Sequence, residues 1–199
     1  MAETMTVLPR TFYNRDSTRV ARELLGKKLV RDENGCRISG IIIETEAYQG
    51  EADLGCHAHV GRTPRNSVMY GPPGHAYVYF TYGMHWCLNT VTMPESYPAA
   101  VLIRAVVAQE GLEILQRHRP NLAFTPQWTN GPAKLTQAFG IDKHLNGVDL
   151  VDAPGELWIE TGETVLDAAI SSGPRVGLFS VPEPWKSIPW RFWYNYPAR

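Results

Sequence analysis

The sequence has few cysteines and no long apolar run, and both features narrow the class of protein. Only three cysteines occur among 199 residues, at wide spacing, which does not match a disulfide framework. Glu44 and Glu46 interrupt one apolar stretch and Arg104 interrupts another, so no run approaches the roughly 18 residues of a membrane span. The N-terminus also lacks the basic start and cleavage site of a secretory signal. We therefore expect an intracellular protein, in the cytoplasm and nucleoid or in a nucleus, with no membrane partner.

The common signatures of cofactor sites are missing as well. The sequence contains no Walker loop, no GxGxxG turn and no GxSxG elbow, which removes the usual motifs of nucleotide binding and serine hydrolysis. Cys56, His57 and His59 lie close together, but no CxxC pair or HExxH helix accompanies them. We expect neither a metal ion nor a cofactor.

The net charge is small but unevenly distributed. Between Asp142 and Asp167 the chain has seven acidic residues and one basic residue, which gives this stretch a charge of −6. Because the whole chain has a net charge of −1, the remaining residues together carry +5. Charge distribution matters more than charge sum for binding to nucleic acid. A basic surface outside the acidic stretch therefore keeps nucleic acid open as a partner.

The turn-forming residues predict short elements in one domain. Gly 17 and Pro 15 occur throughout the chain and leave no linker, so we predict a single domain over 1–199, with residues 1–15 as a flexible N-terminal extension. Helices are predicted over 17–25, 110–117, 132–139 and 163–170. Strands are predicted over 28–31, 37–48, 76–81, 85–92, 100–107, 157–160 and 175–179. Successive strands without intervening helices favour an α+β fold around a curved antiparallel sheet.

The strand over 40–48 combines three isoleucines with two carboxylates. Alternation places Ile42, Glu44, Glu46 and Tyr48 on one face. One interpretation is a sheet with a solvated face. The other is a carboxylate at the floor of a pocket, where it activates water or stabilises a developing cation.

Arg104 interrupts a segment that otherwise has the pattern of a buried strand. A buried guanidinium needs an acceptor, and Glu46 is the obvious candidate. The pair therefore favours the pocket interpretation.

The residues from Gly74 to Asn89 form the most aromatic part of the chain. Tyr77 and Tyr79 share one face of a strand, whereas Tyr82 directly precedes Gly83 and is expected at a hairpin tip. An aromatic ring on a projecting turn is suited to insertion between bases, although aromatic residues in strands usually pack in a core. Nearby, the loop from Gly61 to Asn66 contains Arg62 and Arg65, which either bind phosphate oxygens or are ordinary surface charge.

These segments together resemble a known family, the alkyladenine (3-methyladenine) DNA glycosylases of vertebrates and many bacteria. The resemblance runs in family order from about residue 20 to residue 192. The matching segments lie at 21–26, 43–50, 63–66, 77–79, 82–84, 101–105, 131–135 and 174–177.

The resemblance implies a fold and a set of catalytic residues. The family has one mixed α/β domain around a curved antiparallel sheet, from which a β-hairpin projects into DNA. By motif, Glu46 is similar to the general base that deprotonates the attacking water. Arg104 and the backbone carbonyl of Val176 match the other groups that hold that water.

The resemblance also implies how the base and the duplex are bound. Tyr48 on one side and His57 with Tyr79 on the other match the walls around a flipped base, and Asn89 matches the residue that rejects the 2-amino group of guanine. Tyr82 matches the side chain that fills the gap in the duplex. Further expected DNA contacts are Arg62, Thr63, Arg65, Asn66, Tyr77, Met84 and Lys134.

The activity implied by the resemblance is that of a monomeric, monofunctional glycosylase acting on duplex DNA. Its expected substrates are alkylated or deaminated purines, namely 3-methyladenine, 7-methylguanine, hypoxanthine and ethenoadenine. Two other functions remain open. One is a non-catalytic module that binds lesions or nucleic acid, and the other is a carbohydrate glycosidase with Glu44 as its second carboxylate.

Overall fold

The computed structural model describes residues 6–120 and 125–196. Its helices are α1 (Arg10–Tyr13), α2 (Ser17–Leu24), α3 (Leu112–His118) and α4 (Pro132–Ala138). Its strands are β1 (Lys28–Glu33), β2 (Cys36–Gln49), β3 (Ala76–Thr81), β4 (His85–Val91), β5 (Ala99–Glu110), β6 (Leu157–Glu160), β7 (Ser171–Gly173) and β8 (Arg191–Trp193). Short 3₁₀ helices lie at His57–Val60, Ser67–Tyr70, Pro126–Thr129, Lys143–Leu145 and Asp167–Ala169.

All the strand pairs of the described residues are antiparallel, in the order β3-β4-β5-β2-β1-β6, with β8 pairing both β2 and β7. The predicted α+β fold around a curved antiparallel sheet is confirmed. The long strand β2 has irregular register against β5 on both sides of Glu44. Such bulges bend a strand and redirect its side chains, and here they lie next to the carboxylates singled out in the sequence.

The helices cover the sheet with short amphipathic surfaces. In α2, Val20, Ala21 and Leu24 are buried against the sheet, and the Asp16 carboxylate caps the helix by accepting from the N–H groups of Thr18 and Arg19. In α4, proline stands at the first helical position, where its missing N–H costs nothing. No helix within residues 6–120 and 125–196 has the length and apolarity that a membrane span requires.

The first described residues pack on the domain. Leu8 and Tyr13, assigned in the sequence analysis to a flexible extension, are buried, and the Leu8 N–H donates to the Ile159 carbonyl at 2.9 Å. Residues 1–5 of that extension lie outside the described residues.

Two predicted elements are wrong. The predicted helix over 163–170 is reduced to the 3₁₀ turn Asp167–Ala169. The predicted strand over 175–179 is a turn-rich segment, in which Gly177 adopts φ +85 and the Arg175 side chain turns inward to Asp53 and to the Ala47 carbonyl of β2. By contrast, the predicted helices over 17–25 and 132–139 are confirmed as α2 and α4. The one predicted over 110–117 corresponds to α3, except that Glu110 ends strand β5, and the other six predicted strands correspond to β1–β6.

The hairpin β3–β4 closes through a tight turn. Tyr82 and Gly83 have φ values of +50 and +68, and the Met84 N–H donates to the Thr81 carbonyl at 3.2 Å. Positive φ at both central residues is typical of the type I′ hairpin turn. A tyrosine rarely adopts a positive φ, so placing Tyr82 in this turn costs conformational free energy. Backbone strain of this kind is found mainly at functional sites.

Candidate active site

A cavity of about 400 Å³ opens beside the β3–β4 hairpin. Its walls come from β2, β3, β4 and β5, from the start of α4 and from two loops that contain Gly55–His57 and Val176–Leu178. The cavity brings together all the residues predicted for catalysis and for the base pocket: Glu46, Arg104, Val176, Tyr48, His57, Tyr79 and Asn89.

The Glu46 carboxylate is held at the floor of this cavity. The residue has 0% exposure, so the alternative of a solvated sheet face is wrong for it. Its Oε1 accepts from the Val176 N–H at 2.7 Å and lies 3.3 Å from an Arg104 guanidinium nitrogen, and its Oε2 accepts from the Tyr48 hydroxyl at 2.7 Å. The group thus has a donor at each oxygen.

Burial and hydrogen bonding act on Glu46 in opposite directions. Burial raises the pKa of Glu46, while the charge of Arg104 and the donors of Val176 and Tyr48 lower it. The net result is a pKa above the usual value for a glutamate. A carboxylate with a raised pKa is a stronger base than a solvated one, which suits proton abstraction from water.

Arg104 connects Glu46 to a second carboxylate. Its Nε donates to Glu44 Oε1 at 2.9 Å, and Arg191 Nη1 lies 3.4 Å from the same oxygen. The predicted partner of Arg104 is therefore confirmed, and Glu44 is an additional one. The register of β2 against β5 is irregular on both sides of Glu44, which lies opposite Ala105, the residue after Arg104.

His57 and Tyr79 form one aromatic wall. Their ring centroids are 4.4 Å apart in an edge-on arrangement, and His57 Nδ1 lies 2.9 Å from the Tyr77 hydroxyl oxygen. Burial, with smaller effects from the nearby Arg65 and His59, lowers the pKa of His57 to about 4. The imidazole is therefore neutral at pH 7 and does not repel a cationic ligand in the cavity.

Asn89 is fixed between the strands of the hairpin. Only 3% of Asn89 is exposed, and its Nδ2 donates to the Tyr77 carbonyl at 3.0 Å. It lies opposite Tyr77 in the β3–β4 register. Its side chain therefore has a defined orientation at the cavity wall, as a residue that selects by shape requires.

The hairpin tip carries two of the most exposed apolar side chains of the described residues. Tyr82 is 80% exposed and Met84 66% exposed. Tyr82 also borders the cavity, and a Cβ atom added to Gly177 would lie 3.8 Å from its hydroxyl oxygen. The tip therefore stands beside the cavity mouth with its ring largely free of protein contacts.

The predicted basic loop from Gly61 to Asn66 lies beside the hairpin tip, but not all of its residues face outward. Arg62 and Arg65 are exposed, and Arg65 donates to the Phe80 carbonyl near the hairpin tip at 3.0 Å. Asn66 is 2% exposed and uses its Nδ2 to bond the carbonyls of His57 and Gly61. The side chain of Thr63 accepts from the Asn66 N–H at 3.3 Å.

Three other predicted DNA contacts differ in position. Tyr77 is 1% exposed and lies inside the cavity wall. Like Asn66, it is therefore placed to support the site rather than to reach a phosphate. Lys134 is exposed on α4, whose first residue Pro132 borders the cavity, and Met84 shares the hairpin tip with Tyr82.

Sequence analysis missed one pair that the fold brings together beside the cavity. Asp53 and Arg175 form a bidentate ion pair, at 2.5 and 2.8 Å, with both side chains at 0% exposure. Arg175 belongs to a segment of the family resemblance, but Asp53 is 122 residues away in the chain. No spacing rule joins two such residues.

The cysteine and histidine cluster does not have the arrangement of a metal site. Among the residues that the structure describes, no group of three or more His, Cys, Asp and Glu side chains is placed to bind a metal ion. Cys56 is buried, its pKa is raised to about 12 by that burial, and its sulfur accepts from the Ala58 N–H. Its environment is that of a structural thiol.

Comparison with known proteins agrees with this geometry. Residues 11–197 match the family model described as Methylpurine-DNA glycosylase (MPG). Among similar proteins, one from Methanocella arvoryzae is 50% identical over 189 residues, covering 95% of this chain and 92% of its own length. Others from Desulfitobacterium hafniense and Carboxydothermus hydrogenoformans are each 46% identical and cover 95% and 94% of this chain and 95% and 94% of their own lengths. All three are provisionally named as 3-methyladenine DNA glycosylases.

Proposed function

Because the chain belongs to the methylpurine-DNA glycosylase family and is a DNA glycosylase, we propose that it removes alkylated and deaminated purines from duplex DNA by monofunctional hydrolysis. The proposed substrates are 3-methyladenine, 7-methylguanine, hypoxanthine and ethenoadenine. One chain supplies every group in the proposed site, so we propose that the monomer is active.

The buried Glu46 carboxylate is the observation that carries this proposal. Cleavage of an N-glycosidic bond passes through an oxocarbenium-like sugar, so an anion at the cavity floor stabilises the developing cation. The same carboxylate accepts a proton from the attacking water. Arg104 and the backbone of Val176 hold Glu46 in place, and we propose that the Val176 carbonyl orients that water.

Access to the sugar carbon requires the nucleotide to leave the base stack. We propose that Tyr82 occupies the vacated space, since its ring is exposed at the hairpin tip beside the cavity. The flipped base then lies between Tyr48 and the pair His57 and Tyr79. Nucleotides of 3-methyladenine and 7-methylguanine are cationic and electron-poor, which strengthens stacking and cation–π attraction to these rings. Hypoxanthine and ethenoadenine are neutral, and we propose that each takes a proton from solvent as it leaves.

The proposed selectivity rests on Asn89. Its fixed amide lies in the cavity wall, where a 2-amino group on guanine would have to fit. Adenine and hypoxanthine have no such group, so the wall leaves them unhindered. 7-Methylguanine does carry it, and we propose that its release relies on the positive charge of its ring, which already weakens the glycosidic bond.

The side chains at the cavity support the proposed monofunctional character. No lysine borders it in the part of the chain that the structure describes, and a Schiff base with the sugar needs a lysine or an N-terminal amine. The expected product is therefore an abasic site in an unbroken strand.

The two other functions fit the site less well. A pure binding module has no need for a buried carboxylate paired with a largely covered arginine. A carbohydrate glycosidase needs a second carboxylate free to act, whereas Glu44 is engaged by Arg104 and Arg191.

The test is base release from duplex oligonucleotides that each carry one lesion. The expected result is that the wild-type protein produces alkali-labile abasic sites from several of the four purines, without strand cleavage before alkali and without covalent trapping by borohydride. Tight binding to lesion duplexes with no abasic site from any lesion would favour the binding module. Borohydride trapping would contradict the monofunctional mechanism.

A further inference from the structure

A single buried guanidinium contacts the segments that hold the proposed catalytic carboxylate. Arg175 directly precedes Val176, whose N–H donates to Glu46. The centre of its guanidinium also lies 4.7 Å from the ring centroid of Tyr48, whose hydroxyl is the donor to the other Glu46 oxygen. Two of the three donors to Glu46 therefore depend on where Arg175 lies.

The position of Arg175 is strongly determined by its partners. Its two terminal nitrogens bind the two oxygens of Asp53, one donates to the Ala47 carbonyl at 3.1 Å, and the other donates to the Trp185 carbonyl at 3.3 Å. A planar fork of this kind is specific to arginine, and lysine does not reproduce it. The side chain thus ties the loop after β7 to strand β2.

Asp53 extends the same connection to the opposite loop. Its oxygens accept from the N–H groups of Gln49 and Gly55 at 3.2 and 2.9 Å, which closes the turn leading to His57. Gly55 leaves room for the guanidinium, because a Cβ atom there would lie 2.7 Å from Arg175 Nη2. The ion pair therefore joins both loops that border the cavity.

We infer that Arg175, held by Asp53, is a positioning residue that aligns the Val176 N–H and the Tyr48 hydroxyl on Glu46. This inference rests on the proposed role of Glu46. Neither Arg175 nor Asp53 borders the cavity in the described structure, so the effect of Arg175 on the reaction is indirect.

A positioning role predicts a change in the pH dependence as well as in rate. The charged and titratable groups facing Glu46 are Arg104 from β5, Glu44 and Tyr48 from β2, Tyr79 from β3 and Cys87 from β4. Of the influences that lower the pKa of Glu46, those of Val176 and Tyr48 depend on Arg175. Misaligning those donors therefore raises the pKa of Glu46 further and moves the acid limb of activity to higher pH.

The test compares Arg175→Lys with wild type in single-turnover base release at saturating enzyme. The expected rate constant falls about 10- to 100-fold, as for a small misplacement of a catalytic group, and the acid limb moves to higher pH. Affinity for the lesion duplex is expected to change by less than about threefold, because the lost interaction acts on chemistry rather than on binding.

The matched control is Arg37→Lys. Arg37 forms a similar fork with Glu160, at 2.9 and 2.8 Å, near the start of β2 and nine positions before Glu46 in the chain. Loss of this fork is expected to leave both the rate and the pH profile of the folded protein unchanged.

A second variant covers the case in which Arg175→Lys does not fold. Gly55→Ala retains every charge, and its added Cβ atom would lie 2.7 Å from Arg175 Nη2 and 2.6 Å from Leu178 Cδ1. Because Leu178 borders the cavity, the readout for this variant is the acid limb rather than the rate, and the same upward movement is expected. The inference is overturned if folded Arg175→Lys, or folded Gly55→Ala in its place, has the wild-type acid limb. It is also overturned if activity is lost only in proportion to the unfolded fraction.

The inference and the proposed function fail in different ways. If wild type releases no base, the proposed function is wrong, and the titration of Glu46 followed by carboxylate ¹³C NMR still tests the alignment. A Glu46 pKa that is the same in wild type and Arg175→Lys removes the inference whatever the activity.

Discussion

Replacing Tyr82 with alanine removes the side chain proposed to fill the gap in the duplex. With 80% of Tyr82 exposed, and about 150–250 Å² buried by a fully covered aromatic side chain, roughly 120–200 Å² is available for contact with neighbouring bases. At about 25 cal/mol per Å² this area corresponds to roughly 3–5 kcal/mol as an upper bound.

The effect on catalysis is expected to be smaller than that bound. Base–aromatic stacking contributes about 1–3 kcal/mol in comparable settings, and Tyr82→Ala retains the hairpin backbone. We therefore expect the flipped state, and with it the single-turnover rate, to fall about 5- to 150-fold, which is the factor that corresponds to such an energy.

The assay combines base release with the fluorescence of ethenoadenine, which reports unstacking directly. Tyr82→Phe is the first control, since it retains the ring and is expected to stay within about threefold of wild type. Phe179→Ala is the second, because Phe179 is 83% exposed and is not assigned a role in filling the gap. The melting temperature of Tyr82→Ala is expected to match wild type, as the side chain makes few contacts in the free protein.

An unchanged rate would contradict the proposed role of Tyr82. If Tyr82→Ala flips and releases ethenoadenine as fast as wild type while remaining folded, the ring does not stabilise the extruded nucleotide. The exposed hairpin tip would then serve binding alone.

Three further predictions concern the cavity. Burial raises the pKa of Glu46, so this carboxyl binds a proton more readily in the folded protein than in the unfolded chain, and its ionisation at higher pH lowers the stability of the fold. In thermal scans, Glu46→Gln is therefore expected to melt at or above the wild-type temperature at pH 8. The difference is expected to shrink as the pH falls toward 4. Burial lowers the pKa of His57 to about 4, so its ring is expected to stay neutral in ¹⁵N NMR from pH 7 to 5. The folded protein is expected to lose stability as the pH falls from about 6.5 toward 4, because the unfolded chain then binds the proton more readily. An imidazole that titrates near pH 6.5 would contradict this burial. Asn89→Ala is expected to raise release of guanine by about tenfold relative to hypoxanthine, within the range by which pocket shape discriminates substrates, and an unchanged ratio would remove Asn89 from substrate selection.

The sequence was most informative where polar residues interrupt an apolar pattern. Glu46 and Arg104 each stand in a strand that is otherwise hydrophobic, and a buried charge there requires a partner. The pairing of Glu46 with Arg104 is therefore predictable from the sequence before the fold is known. Alternation also places Glu44 on the same face, but it does not show which carboxylate Arg104 binds, and in the structure Arg104 contacts both.

The loops that complete the site were beyond such reasoning. The segment over 175–179 has the composition of a strand, but Gly177 takes a positive φ and Arg175 turns inward to Asp53. The segment over 163–170 has a helical composition, yet Glu163 is held by tertiary contacts, since its carbonyl accepts from Lys27 and its carboxylate accepts from Tyr194. Contacts between residues far apart in the chain override local propensity in both cases.

The most direct test of the account is single-turnover base release by Glu46→Gln from a duplex with one hypoxanthine or ethenoadenine. Wild type is expected to leave alkali-labile abasic sites. Glu46→Gln is expected to bind the same duplex but to release base about 10²–10⁴-fold more slowly, as when a general base is lost. Base release by folded Glu46→Gln within tenfold of the wild-type rate would contradict the central role of this carboxylate.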